Sequence, residues 1–315
     1  MRRKSDYRPP RSLSHWFIGR PLSTADAPHQ TIGKAVGLAV FASDALSSTA
    51  YATQEILGVL AIAGSMAHDF VFPVSIAIVA LLAIVTISYE QTIHAYPGGG
   101  GAYIVARDNL GELPAQTAGA ALLTDYILTV AVSVSSGVAQ IVSAYPDLFS
   151  FRVWIAVGAV FLVMLVNLRG VKESGTAFAI PTYFFIVMMI ATVGFGIWRF
   201  LTGSLGAVVN PPEADILHAV GALTPFIILH AFANGTTALT GVEAISNGIT
   251  AFKEPRSRNA GITLIWMSLI LGSLFLGISY LTGQIGAVFS EEETIISQLS
   301  RTVFNGRGLP YLAAI

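Results

Sequence analysis

Apolar residues run along this chain in long blocks separated by short polar connections, and block length is the first constraint on the fold. A helix that crosses a bilayer needs about 20 mostly apolar residues. Seven blocks qualify, at 33–64, 71–94, 115–144, 152–168, 175–200, 219–250 and 261–282. An eighth opens near Pro310 and is still apolar at Ile315, so the chain reads as a fragment of a longer protein. The pattern predicts an all-α integral membrane protein that stops after seven to eight transmembrane helices. Residues 1–30 form a polar N-terminal tail, and 31–315 form the transmembrane domain.

Composition sharpens this. Charged residues make up 11% of the chain, against roughly 25% in soluble domains, and mean hydropathy is +0.68. A net charge of −1 argues against a nucleic-acid partner. The absence of cysteine removes disulfides, zinc–thiolate sites and cysteine nucleophiles. The basic tail is too long and too proline-rich for a signal peptide, and no cleavage site follows it. Lys and Arg collect on the inner side of membrane proteins. With the tail in the cytosol, thirteen of the 17 basic residues fall inside; Arg152, Arg199, Arg301 and Arg307 fall outside. The expectation is a multi-pass protein of the cytoplasmic membrane with a cytosolic N-terminus.

Two spans look interrupted. In the first, Ser43-Asp44-Ala45-Leu46-Ser47-Ser48-Thr49 puts hydroxyls and a carboxylate at mid-membrane depth. In the sixth, Asn234-Gly235-Thr236-Thr237-Ala238-Leu239-Thr240-Gly241-Val242-Glu243 weakens the helix. Irregular backbone inside a membrane is tolerated only where protein buries it or a wet cavity lines it. Interruptions at matching places in two repeats point to a transporter's binding site, and the five-helix separation fits an inverted repeat. Polar kinks that tighten helix packing are the alternative.

Asp44, Asp125 and Glu243 all lie inside apolar spans. A charge at the bilayer centre costs about 2.5–3.5 kcal/mol even on the lenient scale. No Lys or Arg occupies the middle of any span, so these acids either carry protons or hold a cation. Asp125, Thr129, Ser133, Ser136 and Gln140 share one helical face, as do Thr240 and Glu243. Hydroxyl, carbonyl and carboxylate oxygens are hard ligands suited to hard cations. His230 is either a proton relay or a packed polar residue; Glu90 and His94 sit at the inner end of span two. The loop Tyr96-Pro97-Gly98-Gly99-Gly100-Gly101 reads as a flexible hinge and lacks the Gly-Lys-Ser/Thr ending of a phosphate loop. The stretch after Glu243, from Ala244 to Ala260, reads as a basic inner loop.

That glycine-rich loop, the Lys253-Glu254-Pro255-Arg256 loop and the span pattern resemble the amino acid–polyamine–organocation transporter superfamily, from about Thr31 to Thr282. The resemblance implies a LeuT-type inverted-repeat bundle of ten core helices. Amino acid permeases of that superfamily carry a Gly-rich first break. This chain has Asp44 there, with Tyr51 seven residues on, which resembles the potassium uptake (KUP) type. That likeness implies potassium at Asp44, Tyr51 and Thr240, with Asp125, Ser133 and Glu243 also on the cation path and Glu243 or Asp125 as proton-coupling acids. Transported K+ and H+ are cargo, and no cofactor is expected. The expected partners are the lipid bilayer and, left open, a second copy in a homodimer.

The leading expectation is therefore proton-coupled potassium uptake. An amino acid or amine permease is the alternative, its substrate ammonium held by the acids, and a sensor or structural membrane protein is a third. No nucleophile–base constellation supports an enzyme.

Overall fold

A computed structural model describes residues 31–64, 69–168, 171–213 and 223–315. The tail and Arg169, both used in the charge count, lie outside the described residues.

The described chain is helical, apart from one isolated parallel bridge between Ile32 and Phe252. Its helices are α1 (Lys34–Ser47), α2 (Ala52–Ala61), α3 (Val71–Ala95), α4 (Gly101–Leu110), α5 (Glu112–Ala144), α6 (Arg152–Asn167), α7 (Val171–Leu201), α8 (Pro225–Gly235), α9 (Ala244–Asn247), α10 (Arg256–Ile285), α11 (Ile295–Val303) and α12 (Leu309–Ala314). Among the described residues, five segments are long and apolar enough to cross a membrane: Val71–Ala95, Glu112–Ala144, Pro146–Asn167, Gly175–Leu201 and Arg256–Ile285. The first and sixth expected spans are missing from that set for a physical reason. Each is cut in two, as α1–α2 and α8–α9, and no piece reaches the length needed alone.

Burial sorts the helices. Within the most apolar window of α10, 61% of residues are buried; in the Pro146–Asn167 segment none is. So α10 is the axis of the bundle, and α6 is a rim helix with Trp154 and Phe161 exposed on its apolar surface. A helix apolar all round, yet unburied by protein, is one that lipid solvates. The axis α10 packs along α3 and α1, α2 packs against α8, and α1 against α7. The broken helices thus lie in the middle, where irregular backbone is shielded.

Two faces are tied down separately. At the proximal face, where the described chain starts, Ile32 N–H donates to the Ala251 carbonyl at 2.8 Å and Lys253 N–H to the Ile32 carbonyl at 2.9 Å. Phe252 stacks on Phe41, ring centroids 5.3 Å apart, and closes onto Gly37. The start of span one and the end of span six are fastened together there. At the distal face, Arg199 donates to the Val303 carbonyl at 2.7 Å and to Asn305 Oδ1 at 2.8 Å. Arg301 Nε meets buried Glu293 Oε1 at 2.8 Å.

Several expectations drawn from sequence change. Span one stays α-helical through Asp44 as far as Ser47; its break is the 3-10 turn Ser48–Ala50 plus Tyr51, one turn later than the polar cluster suggests. The hydroxyls explain the delay: Ser47 and Thr49 donate back to the Asp44 and Leu46 carbonyls, each at 2.7 Å, and hold the turn together. The glycine loop is no loose hinge. Gly99, Gly100 and Gly101 all have positive φ, and Gly100 N–H donates to the Asn247 carbonyl at 3.2 Å. The loop caps α4, a helix that the apolar blocks do not reveal. The stretch after Glu243 begins with α9 and the 3-10 turn Ile249–Ala251 instead of a loop. The outer segment before Pro310 contains α11, whose polar face hides it among loop residues.

Candidate functional site

The two breaks face each other. Span six ends its first half at Gly235, turns through the 3-10 segment Thr236–Leu239, is extended at Thr240 (φ −60°, ψ 140°) and reverses at Gly241 (φ +84°) before α9 starts. Ser48, at the break of span one, donates its hydroxyl to the Ala238 carbonyl at 3.0 Å. That bond joins the two irregular segments directly.

Asp44, on the last turn of α1, is packed against Gly241. A Cβ placed on Gly241 would lie 2.7 Å from Asp44 Oδ2 and 2.9 Å from Ala45 N. Only glycine tolerates both that backbone conformation and that approach. One carboxylate therefore sits where both broken helices come together.

The other expected residues gather around it. Asp44, Asp125 and Glu243 are close enough to feel one another's charge. Tyr51, buried, lies close to Thr240 and Ser133. Ser133 Oγ lies 3.0 Å from Ser47 Oγ. All six residues singled out from sequence thus share one region between α1–α2, α5 and the break of span six. None of the three carboxylates makes an ion pair among the described residues.

Other candidates fall elsewhere. His230 is exposed on α8 and tilts against Phe226, with ring centroids 6.0 Å apart; it does not join the cluster. His94 Nδ1 meets Glu90 Oε1 at 3.2 Å, with both side chains exposed at the proximal end of α3. The polar face of α5 is used along its length, but its distal end serves the fold. There Gln140 Oε1 accepts from Thr294 Oγ1 at 2.6 Å and so holds the start of α11.

Sequence reasoning misses the surroundings of Glu243. Among the described residues, buried side-chain oxygens without a hydrogen-bond partner include Thr237 Oγ1, Glu243 Oε1, Ser246 Oγ and Asn247 Oδ1, all on the broken stretch of span six. Asn247 also donates through Nδ2 to Tyr126 Oη. Tyr89 and Tyr126 both lie near Glu243 and Asp125. The four-residue step from Glu243 to Asn247, and Tyr126 beside Asp125, are the available signals. They are masked because 244–260 reads as loop.

Chemically, the region offers carboxylate, hydroxyl, phenol and carboxamide oxygens with no basic group among them. Such a set favours a hard cation or a proton over an anion.

Known proteins share this arrangement of sequence. A family model described as amino acid permease matches residues 38–304, and the chain belongs to that family, within the amino acid–polyamine–organocation superfamily. Its sequence is also similar to the potassium transporter KimA of Bacillus subtilis (strain 168), 43% identical over 300 residues. That match covers 95% of this chain and 49% of the relative. The chain thus spans about half the length of the curated relative it matches.

Proposed function

We propose that this chain forms the cation-binding part of a secondary transporter that brings potassium, coupled to protons, into the cell across the bacterial cytoplasmic membrane. The observation that carries it is Asp44: a carboxylate without a basic partner among the described residues, set against Gly241 where both helices break. Its similarity to a protein named as a potassium transporter supports the same reading. Potassium is held by Asp44, Tyr51 and Thr240, with Ser133 supporting Tyr51. Glu243 and Asp125 lie close enough to Asp44 for a proton on one of them to alter its hold on the ion. The thirteen-to-four distribution of basic residues supports a cytosolic proximal face, which makes the distal face external. The homodimer expectation gains no support from the fold or the comparisons.

The family description favours one other reading, an amino acid or amine permease. A fixed carboxylate at Asp44 would repel an amino acid's own carboxylate, while a simple amine would suit it. Reconstitution of the protein in proteoliposomes separates the two. Rubidium uptake that potassium competes away, with no amino acid or amine uptake, is the expected result. Amine or amino acid uptake without rubidium flux ends the potassium reading. Rubidium uptake that is indifferent to a collapsed proton gradient retains potassium and removes proton coupling.

A further inference from the structure

A cavity of about 350 Å3 lies directly on the distal side of Tyr51, between α2, α5 and the start of α11. Tyr51 lines its inner end, and Gln54, Glu55, Ser135, Ser136 and Thr294 are among its walls. Of the residues that line it, Glu55 alone carries a charge.

Two polar neighbours of Glu55, Gln54 and Thr294, are already committed to the fold. Gln54 Oε1 accepts from the Ile295 backbone N–H at 3.3 Å. Thr294 Oγ1 donates to Gln140, and its backbone N–H to Ser143 Oγ at 3.0 Å. Arg301 and Arg307, the basic groups of the distal connection, are paired with Glu293. Glu55 makes no ion pair among the described residues. Its backbone N–H donates to the Tyr51 carbonyl at 3.0 Å, which sets the carboxylate one helical turn, about 6 Å along the axis, beyond the tyrosine on the same face.

We propose that Glu55 is an external recruiting group for the transported cation: it raises the local cation concentration in the cavity and hands the ion to Tyr51, Thr240 and Asp44. This rests on the cation-transport reading above and adds a specific residue to it. Glu55 is exposed to the open cavity, so solvent screens part of its field while the protein behind it directs the rest towards the site. Glu55 also occupies the first turn of α2, where an acid steadies a helix. That structural role would show in stability, whereas recruitment shows in the dependence of rate on cation concentration.

The measurement is initial rubidium uptake by the protein in proteoliposomes as a function of external rubidium. For an ion in the cavity taken at about 6 Å from that charge, an effective dielectric between about 40 and 80 changes its occupancy about three- to tenfold. Glu55→Gln is expected to raise the half-saturating rubidium concentration by that factor and leave the maximal rate within about twofold. Glu55→Asp should stay near wild type. The difference should fade as an impermeant salt takes ionic strength from about 0.01 M to 1 M, because the screening length falls from about 30 to 3 Å. This chain contains no cysteine, so Glu55→Cys permits a test within one folded sample. Labelling it with a sulfonate-bearing thiol reagent should restore the low half-saturating concentration, and labelling with a quaternary ammonium reagent should raise it further. An unchanged half-saturating concentration in Glu55→Gln, or equal effects of the two labels, overturns the role of Glu55 while wild-type uptake still upholds the transport reading. Absence of rubidium uptake by the wild type overturns both.

Discussion

Replacing Gly241 by Ala adds one methyl group, yet the geometry gives that carbon nowhere to go. At φ +84° a side chain costs about 1–2 kcal/mol. The new Cβ would also lie 2.7 Å from Asp44 Oδ2 and 2.9 Å from Ala45 N, about 0.6 Å or more inside ordinary contact. The carboxylate could swing away. Ala45 N cannot, because it is backbone within α1, so α1 and the break of span six must separate. Overpacking of this kind costs about 1–3 kcal/mol, which brings the total to about 2–5 kcal/mol. Gly203 supplies the control: its φ is +66°, but a Cβ there meets nothing within 4 Å. Gly203→Ala should therefore lose about 1–2 kcal/mol of stability and keep rubidium uptake. Gly241→Ala should lose more stability and nearly all uptake, even below its melting temperature. Detergent-solubilised thermal melts and proteoliposome flux measure the two effects. If both variants transport alike, the contact between Asp44 and Gly241 has no part in transport.

Asp44→Asn keeps the shape and removes the charge; it should abolish rubidium uptake while the protein still elutes as a single folded species, and surviving uptake would place the ion elsewhere. Arg301→Ala strips the main partner from Glu293, whose side chain is 8% exposed, and should cost about 3 kcal/mol in a melt, with Glu293→Gln in the same background recovering part of it. Ser47→Ala and Ser133→Ala should each cost about 0.5–1.5 kcal/mol. Because the two hydroxyls are partners at 3.0 Å, the double variant should cost less than the sum, and strict additivity would deny the bond.

The membrane spans are legible in the sequence because lipid imposes a length rule that residue type alone can express. Both breaks are also legible in kind, since Asn, Gly and Thr in mid-membrane have few structural excuses. The position of the first break is not. Ser47, Ser48 and Thr49 look like helix breakers in a string of letters, but their hydroxyls bond back to carbonyls three residues earlier and extend the turn. The site acids stand out because no base lies near them in sequence. The residues that complete their surroundings do not: only packing brings Tyr89 of α3 and Tyr126 of α5 near Glu243, and Asn247, one turn after it, is hidden because 244–260 reads as loop. The glycine loop is recognisable but misleading. Its glycines answer to a neighbour far along the chain, Asn247, whose Oδ1 lies against Gly101 so closely that no Cβ would fit.

What the letters hide has a common cause, and it bears on function. Thr237, Glu243, Ser246 and Asn247 each bury an oxygen that no donor in the described protein satisfies. A buried polar group without a partner in the protein costs about 1–3 kcal/mol unless water or an ion meets it. Ser48 and Thr49, at the break of span one and fully buried, both have carbonyl partners. The fold is therefore able to satisfy hydroxyls at a break, and does so in span one. Along span six it leaves four oxygens unmet within eleven residues, beside three carboxylates that feel each other's charge. The two breaks therefore differ in what they do. Span one is a braced platform that presents Asp44. On the function proposed above, span six supplies the oxygens that a passing cation or proton would use, and a row of internally satisfied groups would have nothing left to offer it.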